Sequence, residues 1–111
     1  MLPVVTAQTF SAEVLQAKDP VLVYFWAAWC GPCRLLTPCL EQWHQTASQN
    51  LRVVSINADE NFTLANRYRL ATLPTLIWFA DGRIRDRLEG ISDREALQTF
   101  LKRYQPVANA V

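Results

Sequence analysis

Neither sign of charge dominates this 111-residue chain: 11 Lys and Arg face 10 Asp and Glu, a formal net charge of +1. A field that weak gives no basis for nucleic acid or an anionic membrane as a partner. Long apolar runs are also missing. No segment approaches the roughly 18 apolar residues of a membrane span, and "MLPVVTAQTF" has no basic stretch leading into an apolar core. These absences predict an unexported protein of the cytoplasm. Cysteine is sparse as well. Three of them cannot all pair within one chain, which argues against the disulfide framework of a small secreted domain and for a reducing compartment. There is no internal repeat, low-complexity tract or linker.

What is present is apolar substance. Half the residues are hydrophobic and 19% are charged, enough for one core and too short a chain to divide comfortably into two, so one domain over 1–111 is expected. Strand-like and helix-like stretches alternate. After a short extended start near Val4, Thr9 is placed to cap a helix carrying Phe10, Val14 and Leu15, which must stop before Asp19-Pro20. "PVLVYFWA" shows no polar alternation, the pattern of a central strand covered on both faces. From Pro32 onward, Leu36, Leu40, Trp43 and Ala47 line one side of a long helix that should bend at Pro38. "LRVVSINA" reads as a second buried strand and "ENFTLANRYRL" as a short helical passage.

Asp81-Gly82 between "TLIWFA" and "RIRDRLEG" predicts a type I′ hairpin, because that turn asks for positive φ at both positions. Ser92 and Glu95 form a capping-box pattern ahead of a last helix with Ala96, Leu97, Phe100, Leu101 and Tyr104 on its apolar side. Parallel strands need crossover helices and a hairpin needs none. The economical solution is an α/β fold, a central mixed sheet of five strands with helices on both faces.

Cys30 and Cys33 admit three readings: a redox pair, half of a metal site, or two small buried hydrophobes. With Cys39 and His44 they offer the ligand types of a zinc centre. Helix geometry removes that reading within one chain. Eleven residues separate Cys33 from His44, about 16 Å of rise, whereas zinc bonds span about 2 Å. Cys39 lies about 120° around the helix from Cys33 and about 9 Å along it, too far for a disulfide. A cluster shared between two chains would need a partner. Thiol–disulfide exchange suits the pair better. A cysteine at a helix N-terminus meets unpaired N–H groups and the positive end of the helix dipole, and Pro32 fits the first helical turn. Lowering a thiol pKa from about 8.5 to about 7 raises the thiolate fraction at neutral pH roughly fifteen-fold, and reduced nucleophilicity removes about five-fold of this. The greater gain is placement, since a second thiol one turn away attacks a mixed disulfide intramolecularly.

"FWAAWCGPC", "TLPT", "ADGRI" and "LEGIS" together resemble the thioredoxin family, with nearly constant spacing from about Val4 to Tyr104. The resemblance implies a thioredoxin fold and a protein disulfide reductase. Cys30 would be the exposed attacking thiol and Cys33 the buried resolving one, supported by Gly31 and Pro32. Trp29 would flank the site and touch substrate. Pro74 would be cis and face the disulfide, while Thr72, Leu73, Pro74 and Gly90 line a groove that grips an extended client. It implies no cofactor beyond the redox-active disulfide and no metal. The implied partners are disulfide-bearing proteins and a thioredoxin reductase dependent on NADPH or ferredoxin, with the chain itself a monomer. Two positions depart from the family pattern. Tyr24 stands where a buried Asp is usual and Ser55 where its Lys partner is usual, so both charges are missing together. That pairing fits either a compensated core or a slower deprotonation of Cys33 with an altered redox poise.

The remaining conspicuous residues take plainer roles. Cys39 is expected to be a small buried hydrophobe and His44 a partly solvated surface residue. Arg83, Arg85 and Arg87 alternate onto one face of the last strand as a solvated, edge-protecting row, with an acidic docking partner as the other reading. Trp43 and Trp78 fit the core, and Trp26 shields the motif. Two functional alternatives stay open: the same chemistry run in the oxidising or isomerising direction, and a docking module whose redox activity is incidental.

Overall fold

A computed structural model describes residues 2–46, 51–91 and 93–103. Four strands, β1 (Val21–Trp26), β2 (Arg52–Asn57), β3 (Thr75–Ala80) and β4 (Arg83–Glu89), form one sheet in the order β2-β1-β3-β4. β1 runs parallel to β2 and antiparallel to β3, and β3 is antiparallel to β4. Helix α1 (Gly31–Thr46) supplies the crossover that the parallel pair requires, α2 (Phe62–Arg67) precedes β3, and α3 (Arg94–Arg103) follows β4.

The unbroken apolar run of β1 is divided residue by residue between two cores. Leu22 and Tyr24 point to a layer with Leu36, Leu40, Leu76, Trp78, Leu97 and Phe100, beneath α1 and α3. Val21, Val23 and Phe25 point to the opposite layer with Phe10, Val14, Val54, Ile56, Leu64, Ile77 and Phe79. Each fully buried Leu, Val or Phe contributes about 1.5–3 kcal/mol over leaving it in water. Trp43 packs edge-on against Trp78 at 6.1 Å between ring centroids, as the sequence predicts for both.

The expected fifth strand is absent among the described residues. Near Val4 there is a single parallel bridge to Ser55, with the Val5 N–H donating to the Ser55 carbonyl at 2.9 Å and the Ser55 N–H to the Pro3 carbonyl at 2.8 Å. The ladder cannot lengthen. Pro3 has no N–H, the Ala7 N–H that comes next on that side is held by Asn61 Oδ1 at 2.8 Å, and the Thr6 N–H, which faces away from β2, is taken by Thr9 Oγ1 at 3.0 Å. That bond also turns the Thr9 side chain away from capping, and the element that follows is one π-helical turn, Ser11–Leu15.

The hairpin turn is as expected, and the arginine row that follows it is not. Asp81 and Gly82 do adopt φ of 54° and 75°, as the hairpin requires. A register shift between Trp78 and Phe79, however, leaves Arg85 as an extra residue on β4, so Phe79 faces Ile84 while Trp78 faces Asp86. A bulge of this kind reverses the alternation, and Arg83, Arg85 and Arg87 do not share a face. Arg87 instead reaches the carbonyls of Tyr68 and Arg69. Finally, Ser92, Ala47 and Tyr104 lie outside the described residues. Asp93 caps α3, its Oδ1 accepting the Ala96 N–H at 2.7 Å.

Candidate active site

β1 ends at Trp26, and the turn that follows is closed by the Cys30 N–H on the Ala27 carbonyl at 3.1 Å. Helix α1 begins at the next residue, Gly31. Cys30 therefore sits at the helix mouth, with Pro32 inside the first turn where its missing N–H costs nothing. Cys30 and Cys33 are joined in a disulfide, their Cα atoms 5.3 Å apart. The Cys33 N–H points at Cys30 Sγ at 3.3 Å.

Both cysteines are 2% exposed in this oxidised form, so Cys30 is not the solvent-facing member that the family resemblance implies. The bond draws the two side chains together inside the layer that also holds Ala27, Leu36 and Leu76. Trp29, by contrast, is 68% exposed, and its indole N–H is fixed on Asp59 Oδ2 at 2.9 Å. Asp59 belongs to a short 3₁₀ turn, Ala58–Glu60, held by the Asn57 side chain. The sequence reading missed Asp59; its place two residues past β2, where the sheet's carboxyl ends gather, was the available signal.

The Leu73–Pro74 bond is cis, and Pro74 is buried. Its loop is tied down twice: the Thr75 hydroxyl donates to the Thr72 carbonyl at 2.7 Å, and the Gly90 N–H donates to the Pro74 carbonyl at 3.0 Å. Gly90 has φ +63°, which strains any side chain there, and a Cβ would also crowd Thr72 Oγ1 at 3.3 Å. Gly31 differs. A Cβ there would meet nothing within 4 Å, so its lack of a side chain leaves the approach to the cysteines open without being forced by the fold. Trp29, Thr72 and Leu73 line one groove of about 190 Å³ with Ala58, Phe62 and Leu70. Phe62, also 68% exposed, is a wall that the sequence reading did not name.

Tyr24 lies beneath the helix mouth, 1% exposed. Its hydroxyl lies 3.1 Å from the Cys33 carbonyl and 2.8 Å from Thr37 Oγ1, itself 2.8 Å from that carbonyl, and the two hydroxyl hydrogens serve these three contacts. Burial pushes the Tyr24 phenol above its usual range, and the Thr37 hydrogen bond only partly opposes this. It is therefore neutral at working pH. Ser55 is its register partner on β2, buried and hydrogen-bonded to the Pro3 carbonyl at 3.4 Å, so no charge sits at either position. Thr37 was also missed, although its i+4 spacing from Cys33 places it on the same face of α1.

The other titratable candidates lie apart from this centre. Cys39 is half-buried, its Sγ accepting from Arg94 Nε at 3.1 Å. His44 is half-buried, in keeping with a partly solvated position, and its Nδ1 has no hydrogen-bond partner among the described residues. No group of three or more His, Cys, Asp and Glu among the described residues could hold a metal ion.

A cysteine pair one helical turn apart takes two electrons from a dithiol when it is a disulfide and gives them to a disulfide when it is reduced, which places the protein among the dithiol–disulfide oxidoreductases. A family model described as Thioredoxin matches residues 1–103. Thioredoxin 1 of Synechococcus elongatus is 41% identical over 100 residues, covering 90% of this chain and 94% of that protein. Thioredoxin of Bacillus subtilis is 38% identical over 99 residues, covering 89% and 93%. The chain belongs to the thioredoxin family, a family of protein-disulfide oxidoreductases that carry electrons on a redox-active disulfide and need no further cofactor. Its CxxC disulfide is Cys30–Cys33.

Proposed function

We propose that the protein reduces disulfides in client proteins, with Cys30 as the attacking thiol and Cys33 as the resolving one. The observation that carries the assignment is the Cys33 N–H directed at Cys30 Sγ from the first turn of α1, which stabilises negative charge on that sulfur and not on the other. The Cys30 thiolate attacks one sulfur of the client disulfide, forming a mixed disulfide and releasing the other client sulfur as a thiolate. Cys33, deprotonated, then attacks Cys30 Sγ. The mixed disulfide breaks, the second client thiolate leaves, and two electrons have passed to the client while Cys30–Cys33 closes. A thioredoxin reductase, dependent on NADPH or ferredoxin, returns the dithiol form.

Trp29, Thr72, Leu73, Pro74 and Gly90 hold the client, with Gly31 and Pro32 shaping the approach and Tyr24 supporting the helix mouth. Main-chain bonding by an extended client along the cis-proline loop would accept many sequences, as a general reductant requires. We further assign the chain one domain over 1–111, a monomeric state consistent with the charged β4 edge, no nucleic-acid or membrane partner, no metal, and a cytoplasmic setting consistent with the free Cys39 thiol. The neutral Tyr24 in place of a carboxylate favours one second reading, a shifted redox poise that turns the same exchange toward oxidation or isomerisation.

The test is insulin reduction with dithiothreitol, run beside Cys33→Ser. The expected outcome is turnover by the natural protein and a trapped Cys30 mixed disulfide in the variant. A natural protein no faster than dithiothreitol alone, or a Cys33→Ser variant that traps nothing, removes the assignment. A reduction potential well above that of reducing thioredoxins selects the second reading.

A further inference from the structure

Cys33 is gripped from both of its backbone polar groups, and the two grips point to different chemistry. Its N–H serves the Cys30 sulfur at 3.3 Å. Its carbonyl accepts from the hydroxyls of Thr37 at 2.8 Å and Tyr24 at 3.1 Å, which are themselves 2.8 Å apart. Two hydroxyls bring two hydrogens to three contacts. Either Tyr24 donates to Thr37 and Thr37 to the carbonyl, or Thr37 donates to Tyr24 and Tyr24 to the carbonyl, and in both arrangements the carbonyl keeps a donor. Four residues into the same helix, the backbone ladder has a gap: Pro38 has no N–H for the Arg34 carbonyl, so the first turn of α1 is joined to the rest of the helix by one bond fewer.

We propose that Thr37 is a positioning residue for the exchange reaction: together with Tyr24 it clamps Cys33 from the carbonyl side, so that the Cys33 N–H stays on the Cys30 sulfur when the disulfide opens. The inference rests on the assignment of Cys30 as the attacking thiol. The clamp carries no charge. Stabilisation of a thiolate at Cys30 then rests on the geometry of the helix mouth, and Tyr24 brings no carboxylate to it. The charged and titratable groups around it are few. Arg34 reaches the Ala28 carbonyl at 3.5 Å, Asp59 is held by Trp29, Glu41 lines the groove beside Tyr24 and Thr37, and Cys33 itself is the resolving thiol.

Thr37→Val keeps shape and removes the hydroxyl, while Thr37→Ser keeps the hydroxyl and removes the methyl. The measurement is the pH dependence of iodoacetamide labelling of Cys30 in the reduced protein, with Cys39 replaced by Ser throughout. In Thr37→Val the midpoint should rise by about half a unit, which leaves roughly three-fold less thiolate at pH 6. The more basic sulfur is the better nucleophile, so the labelling rate should fall only about two-fold. Adding Tyr24→Phe should roughly double the midpoint shift, and Thr37→Ser should return it to the parent value. Thermal unfolding of each variant separates this from loss of fold, and Thr37→Ala serves if Thr37→Val unfolds. An unmoved midpoint in the Thr37→Val, Tyr24→Phe pair overturns the proposal. Equal shifts in Thr37→Val and Thr37→Ser also overturn it, because they would trace the effect to packing. Failure of the parent assignment is read separately, from Cys33→Ser trapping no insulin when Thr37 is intact.

Discussion

The two apolar layers on either side of the sheet are built from neighbouring residues of the same strand yet do different things. The layer of Val21, Val23, Phe25, Phe10, Phe79 and Ile77 holds hydrocarbon and rings, with Phe10, Tyr68 and Phe79 in mutual edge-on and tilted contact. The layer of Leu22 and Tyr24 also buries two sulfurs and a hydroxyl that binds the residue carrying one of them. One face of β1 packs against side chains alone, and the other packs against the disulfide as well. The difference comes from one position in two along a strand.

The sharpest break of this comparison is Cys30→Ser. Insulin reduction should fall to the rate of dithiothreitol alone, while the urea unfolding midpoint of the variant matches that of the natural protein in its reduced form. On the opposite face, Phe79→Ala should cost about 3–5 kcal/mol of stability, read by urea unfolding. Its Cys30 labelling midpoint at a temperature where it remains folded should not move; a moved midpoint would mean the two layers are coupled. Next is Tyr24→Asp. A carboxyl buried there has its pKa raised by desolvation and titrates within the assay range, so the profile of disulfide reduction over about pH 6 to 9 should change shape. Superimposable profiles would remove Tyr24 from the mechanism.

A smaller effect should appear in alkali. The folded phenol of Tyr24 holds its proton more tightly than in the unfolded chain, so above about pH 10 the unfolded state binds fewer protons and stability falls as pH rises. Below about pH 10 this contribution is fully present. Tyr24→Phe should flatten that part of the alkaline loss in urea midpoints, and an unchanged slope would place the phenol in water. The smallest effect is the contrast of two glycines. Gly31→Ala should stay within about 0.5 kcal/mol, whereas Gly90→Ala should lose about 1–2 kcal/mol because of its left-handed backbone.

Much of this was legible before any coordinates. The Asp81-Gly82 hairpin, the central strand and the helix mouth at Cys30 each depend on local chemistry that a short quoted stretch carries, and the cis-proline loop was legible through the family resemblance. The fifth strand failed because pairing is a property of two segments. A proline N–H that does not exist and an Ala7 N–H that the distant Asn61 side chain takes limit Val4 to one bridge. The row of arginines failed for a related reason: a single bulged residue on β4 is invisible in sequence, yet it reverses which side every later residue faces. At the site, Cys30, Cys33 and Trp29 were readable from the motif. Thr37 and Asp59 were not named, because each matters through a partner that is distant along the chain: Thr37 through Tyr24 on β1, Asp59 through Trp29. The cover over Cys30 comes from packing in the layer of Ala27, Leu36 and Leu76, which the motif alone does not carry.

Hairpin tips are the usual place to splice in a tag or a display peptide. Here that freedom is lacking. At Gly82 a Cβ would stand 2.9 Å from the Leu15 carbonyl, so the tip between β3 and β4 is pressed against the π-helical turn that begins the chain's second layer. An engineer fusing cargo at this tip would pry the two apart.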